Sequence, residues 1–125
     1  MKYRIATFLL VLSATSVQAD LLPRWEVAEE ALTARVFDLA GNSQYFSPWN
    51  SEDRAGKACL LDAMLRTFGP SNVEGYVASL ERTAAARMSY ADSSELSLDW
   101  MGAASRNGMD LATVMDLAMA CNSSF

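Results

Sequence analysis

The residues able to do chemistry in this chain are two cysteines, seven methionines and fifteen carboxylic acids, and no histidine accompanies them. Histidine is the commonest general base and a usual ligand of zinc and haem. Its absence removes the Ser-His-Asp and Cys-His nucleophile systems, and the sequence contains no glycine-rich phosphate loop. A non-enzymatic function is therefore favoured, and we assign no catalytic residue and no cofactor.

The two cysteines, Cys59 and Cys121, are separated by 62 positions. Redox-active cysteines are often close in sequence, as in Cys-x-x-Cys, whereas distant cysteines in a small secreted domain usually form a structural disulfide. Closing a span of this length removes chain entropy from the unfolded state and stabilises the fold by about 4 kcal/mol. We therefore predict a Cys59–Cys121 disulfide at the edge of the core, joining the second helix to the last.

Two methionines and two acids offer weaker chemical alternatives. Met115 and Met119 are spaced to present two thioethers to Cu(I), but methionine also fills helical cores, which is the preferred interpretation for both. A pair of carboxylates across a cleft can hydrolyse a glycosidic bond. Asp62 and Asp99 lie in apolar stretches suited to that role, although no pair stands out.

The segment from Gly41 to Asp53, GNSQYFSPWNSED, concentrates aromatic residues in a stretch without helical periodicity. Connections are usually polar and exposed, so Tyr45, Phe46 and Trp49 require an explanation. They either form a lid that folds over one end of the helices or present a patch for a partner protein or a sugar ring. We take these three residues as candidate partner-binding residues.

Apolar residues recur at three and four positions through most of the chain, which predicts helices rather than strands. Capping residues and helix breakers divide the pattern into five short helices. The first, second, fourth and fifth helices are expected to span Pro23 to Gly41, Ser51 to Phe68, Asp92 to Asn107, and Asp110 to Cys121. The third helix is expected to begin at Ser71, with Glu74 at capping-box spacing. The predicted fold is a compact, irregular all-α bundle stapled by one disulfide.

Each predicted helix has one apolar face that should form the core. The residues expected to be buried are, helix by helix, Trp25, Ala28, Leu32, Val36 and Leu39; Ala58, Leu61, Leu65 and Phe68; Val73, Tyr76, Val77, Leu80, Ala84 and Met88; Leu96, Trp100, Ala103 and Ala104; and Leu111, Val114, Met115 and Ala118.

Residues 1–19 have the layout of a secretory signal peptide. Lys2 and Arg4 precede a short apolar run, and small residues lead to cleavage after Ala19. The apolar run is much shorter than the roughly 20 residues of a membrane span. We expect residues 20–125 to be a single helical domain, periplasmic or secreted, without membrane insertion.

Removal of the signal peptide would change the formal charge from −5 to −7. The negative charge disfavours nucleic acid as a partner. In gross properties the chain resembles small periplasmic helical proteins, including acid-stress chaperones held by one long-range disulfide. This resemblance rests on the cysteine pair and the helical pattern alone.

The preferred functional hypothesis is a domain that binds another periplasmic or membrane-attached protein, as an accessory subunit, inhibitor or chaperone-like factor. A carrier that holds a small ligand or copper between its helices is the alternative. A carboxylate-based hydrolase is the third hypothesis.

Overall fold

The computed structural model describes the backbone of residues 2–125 and the side chains of residues 17–125. No strand occurs in this part of the chain, which confirms the predicted all-α bundle. The helices are α1 (Lys2–Leu39), α2 (Ser51–Phe68), α3 (Pro70–Ala85), α4 (Ser93–Arg106) and α5 (Leu111–Ala120), with short 3-10 turns at Ser43–Tyr45 and Arg87–Ser89.

The predicted signal peptide, residues 1–19, lies mostly outside the side chains that the structure describes, and it stays a prediction. Across the described residues, no helix combines the length and hydropathy that a bilayer span requires.

Helix α1 is longer than the sequence predicts, because Pro23 lies inside it rather than at its start. Proline removes one backbone hydrogen bond from a helix interior, and here the helix continues through it. The predicted apolar face is confirmed: Trp25, Ala28 and Leu32 are buried, and Leu21 extends the same face by one turn. The helix ends before Gly41, which has the positive φ of 75° expected of a C-terminal glycine.

The starts of α2 and α3 differ from the prediction. Asn50, not Ser51, caps α2: its side chain accepts from the Asp53 amide at 2.8 Å, and the Asp53 carboxylate accepts from the Asn50 amide at 3.0 Å. Helix α3 begins at Pro70, immediately after the linking glycine, and no side chain caps it. The predicted Ser71–Glu74 capping box fails because α3 starts before Ser71, which therefore lies inside the helix, and Glu74 binds Arg24 of α1 at 2.8 Å.

The predicted caps of α4 and α5 are confirmed. Asp92 accepts from the amides of Ser94 and Glu95 at the start of α4. Asp110 accepts from the amide of Thr113 at 3.0 Å and from its hydroxyl at 2.7 Å. These two hydrogen bonds, the hydroxyl first, lower the pKa of Asp110.

The core is organised around α1, which packs mainly against α3 and also contacts α2 and α4. Helix α5 packs against α2, to which the disulfide joins it. Helices α4 and α5 make few contacts with each other, although they are consecutive in the chain. An open space is therefore left between these two helices.

Four predicted core positions are wrong: Ala58, Met88, Leu111 and Met115. Leu111 is only partly buried and lines the open space between α4 and α5. The buried face of α2 is rotated from the prediction and centres on Lys57, Leu60, Leu61 and Met64, so that Ala58 is only partly buried. Met88 follows the end of α3 and is 68% exposed. Met115 is 52% exposed, because the face of α5 that carries it is turned toward the open space and not toward α2.

Candidate functional site

The space between α4 and α5 is a cavity of about 440 Å³, called here the α4–α5 cavity. Trp100 and Met101 of α4 line it, together with Met115 and Met119 of α5 and Phe125. The volume lies within the range of roughly 300–1,000 Å³ that is usual for small-molecule sites, which are also mostly apolar. This cavity is the best candidate for a binding site in the described part of the chain.

The methionines of the cavity are accessible to solvent. Met101 is 56% exposed and Met119 is 74% exposed, and both lie on the same cavity as Met115. The prediction that Met115 and Met119 fill the core is therefore wrong. Flexible thioether side chains adapt to differently shaped apolar surfaces, so methionine is frequent at binding surfaces.

A buried ion pair lies beneath the cavity. Glu29 lines the cavity, and its Oε1 accepts from Lys57 Nζ at 2.9 Å. Lys57 is only 2% exposed. Its ammonium lies 5.0 Å from the ring centroid of Trp25 and 5.4 Å from that of Trp49, within the range of cation–π attraction. Lys57 Nζ also donates to the carbonyl of Ser124.

Tyr76 of α3 connects this ion pair to the cavity wall. Its ring stacks on Phe125 with centroids 6.1 Å apart, and it meets Trp25 edge-on at 6.2 Å. Burial, and secondarily the negative charge of Glu29, raise the pKa of the Tyr76 phenol well above its usual range. The hydroxyl is therefore protonated at neutral pH and is able to donate a hydrogen bond.

The Cys59–Cys121 disulfide is confirmed, with the two Cα atoms 5.7 Å apart. Cys59 is exposed and Cys121 is partly buried, so the bond lies at the edge of the core, as predicted. The residues that follow Cys121 form one wall of the α4–α5 cavity through Ser123 and Phe125. The disulfide and the Lys57–Ser124 hydrogen bond hold this wall at two points.

The structure places the three candidate aromatics in different environments. Trp49 packs against the core, edge-on to Trp25 at 5.9 Å, and its amide donates to Glu30 at 2.9 Å. Phe46 is partly buried, whereas Tyr45 is 69% exposed. Trp49 is thus a lid on the core, and Tyr45 is the most accessible of the three.

The candidate acids do not meet. Asp62 pairs with Arg66 at 2.9 Å on α2, while Asp99 of α4 accepts from the Tyr90 hydroxyl. Neither lines the α4–α5 cavity. Within residues 17–125, no group of three histidine, cysteine or acidic side chains is placed to hold a metal ion.

Several residues of the site were not singled out from the sequence. These are Glu29, Lys57, Met101 and Phe125. One signal was available for Lys57, because it is the only lysine after residue 19 and lies in a stretch where small and apolar residues predominate. No comparable signal marks Glu29 among fifteen acids.

The fold and the site define a disulfide-linked helical bundle with an open, methionine-lined cavity. No protein-family model, no curated protein and no solved structure matches the chain.

Proposed function

We propose that this protein is a non-enzymatic binding protein that holds a small, mainly apolar molecule in the α4–α5 cavity. The observation that carries the proposal is the separation of α4 and α5, which leaves a cavity of about 440 Å³ with apolar side chains open to solvent. Burying apolar surface away from water is favourable by about 25 cal/mol per Å², so a folded protein normally buries such surface where packing allows. A ligand in the cavity would cover the surface that the fold leaves exposed.

The proposed site of action is outside the cytoplasm, in the periplasm or the extracellular space. The disulfide supports this location, because such bonds persist in oxidising compartments. The signal-peptide pattern of residues 1–19 agrees with it.

Binding to a protein partner, the preferred hypothesis from the sequence, receives less support from the geometry. Trp49 is engaged with the core, and of the three candidate aromatics Tyr45 remains for a partner surface. Small-ligand binding is supported by a formed cavity and is therefore the favoured function.

The proposal is tested with N-phenyl-1-naphthylamine, an uncharged apolar dye whose fluorescence increases in apolar sites. The wild-type protein should bind it saturably. Met115→Glu places a charge in the cavity and should weaken binding at least about tenfold, by desolvation of that charge. Met88→Glu is the matched control, since Met88 is comparably exposed but does not line the cavity. Equal binding by both variants, or no saturable binding by the wild type, would contradict the proposal.

Copper carriage is the second candidate, and one observation favours it. Met101 of α4 and two methionines of α5 line the same cavity, which provides three thioether groups from two helices. Thioethers are soft ligands that select Cu(I).

Competition with a chromogenic Cu(I) chelator tests this candidate. Replacing Met101, Met115 and Met119 by leucine should abolish copper retention while preserving the apolar character of the cavity. Met88→Leu serves as the control, because Met88 lies outside the cavity. Dye binding that survives the triple replacement, together with loss of copper, would distinguish the two functions. No retention of copper by the wild type would exclude this candidate.

A further inference from the structure

We infer that the ligand of the α4–α5 cavity is an organic cation with an apolar body, whose ammonium group lies against Glu29 and the ring of Trp100. The inference rests on the proposed function, since it specifies the ligand of the same site. Three features of the described residues support it: the charge of the cavity, its aromatic lining, and an ammonium that the protein already holds in a similar setting.

The cavity is electrostatically suited to a cation. Among residues 17–125, Glu29 is the only charged residue that lines it, so an anionic ligand would meet a carboxylate and no basic lining residue. The whole chain carries a formal charge of −5, which raises the local concentration of cations near its surface. An anionic amphiphile, such as a fatty acid, is therefore the disfavoured alternative.

The aromatic lining adds attraction of a second kind. Tyr76, Trp100 and Phe125 contribute three rings to the cavity. Aromatic faces attract alkylammonium groups through the ring quadrupole, and aromatic cages recognise quaternary ammonium ligands in this way. The rings also bury the apolar body of the ligand, so that one lining serves both parts of the molecule.

Lys57 provides an internal example of this recognition. Its ammonium is held by Glu29 at 2.9 Å and lies over the rings of Trp25 and Trp49. Glu29 thus binds an ammonium that lies over two indole rings, and it also lines the cavity to which Trp100 and Phe125 contribute their rings. Because Lys57 already neutralises part of the carboxylate charge, the expected preference for a cation is moderate, about tenfold.

Three probes with the same eight-carbon chain test the inference: octyltrimethylammonium, octanol and octanoate. Their affinities are measured at pH 7 by displacement of N-phenyl-1-naphthylamine. Octyltrimethylammonium should bind about tenfold more tightly than octanol, and octanoate should bind most weakly. Equal affinity for the cation and the alcohol would overturn the inference and leave the proposed function standing. Failure of all three probes and of the dye would overturn both.

Variants identify the groups responsible. Glu29→Gln should remove the preference for the cation over octanol, whereas Asp116→Asn, an exposed acid of α5 outside the lining, should leave it unchanged. Since Glu29→Gln also leaves the buried Lys57 without its carboxylate, Trp100→Leu is a second test that retains the ion pair. It should reduce the preference severalfold, and an undiminished preference in folded Trp100→Leu protein would overturn the inference.

Discussion

Lys57 is a charged side chain buried in the interior of this protein. A lysine ammonium is expensive to bury unless it is paired, and here a carboxylate, two indole rings and a backbone carbonyl surround it. The contacts of this one side chain join α1, α2, the connection between these helices that carries Trp49, and the residues after Cys121.

Tyr45 and Trp49, both in the connection between α1 and α2, should respond differently to mutation. Trp49→Ala removes a ring that packs on Trp25 and should lower the free energy of unfolding by about 2 kcal/mol. Tyr45→Ala, at a site 69% exposed, should change it by less than about 0.5 kcal/mol. Urea unfolding measures both. Equal, small effects would show that Trp49 is not a lid on the core.

Tyr76 should make stability sensitive to alkaline pH. Burial and the charge of Glu29 raise the pKa of its phenol in the folded state, whereas the pKa in the unfolded chain is about 10. The stabilising contribution of the neutral phenol is therefore complete below about pH 10 and is lost as pH rises toward the folded-state pKa.

Absorbance of tyrosinate at 295 nm follows this titration. Tyr76→Phe should remove the ionisation step that coincides with alkaline unfolding, and Tyr45→Phe should leave that step in place. A Tyr76→Phe protein with an unchanged alkaline titration would contradict the assignment.

At the scale of helices, the disulfide joins α2 covalently to the residue that follows α5. Replacing Cys59 and Cys121 by alanine should lower the free energy of unfolding by about 4 kcal/mol, because the unfolded chain regains the entropy of an open 62-residue span. Differential scanning calorimetry of the variant and the oxidised protein measures the loss. An unchanged melting temperature would mean that the bond contributes nothing to stability.

The helix limits were predictable where a single local interaction decides them. Asp92 and Asp110 cap their helices as their positions predict, since an aspartate before an apolar run satisfies the first amides directly. Prediction failed where two neighbouring signals compete. Asn50 and Ser51 are both capping residue types, and Asn50 caps α2; α3 starts at Pro70, which suits the first position of a helix, and not after Ser71.

The cavity was not predictable for a related reason. Periodicity indicates that α5 has an apolar face, but it does not say which part of that face meets a neighbouring helix. Val114 and Ala118 are buried, whereas Met115 faces the open space. That difference depends on α5 packing against α2 and remaining apart from α4.

For the whole molecule, the folded domain should be preserved when the predicted signal peptide is removed. Among residues 17–125, the fully buried side chains begin at Leu21, and Val17, which would be removed, is only partly buried against them. Gln18, which would also be removed, donates a hydrogen bond to the Ala58 carbonyl at 3.2 Å. Such a hydrogen bond contributes about 1 kcal/mol to stability. Residues 20–125 should therefore unfold cooperatively and retain the helical circular dichroism spectrum. Non-cooperative unfolding would show that the domain includes residues before Asp20.

The burial of Lys57 also governs how the processed chain can be labelled. A chain that starts at Asp20 has Lys57 as its sole lysine, and the side chain is 2% exposed and engaged with Glu29. Amine-reactive reagents should therefore modify the folded chain at its α-amino group alone, which provides a single attachment point for a fluorophore or a solid support. Cross-linkers that react with lysine side chains should therefore couple this protein poorly. Carbodiimide coupling should work better, because it joins the many exposed acids of this chain to amines of neighbouring proteins.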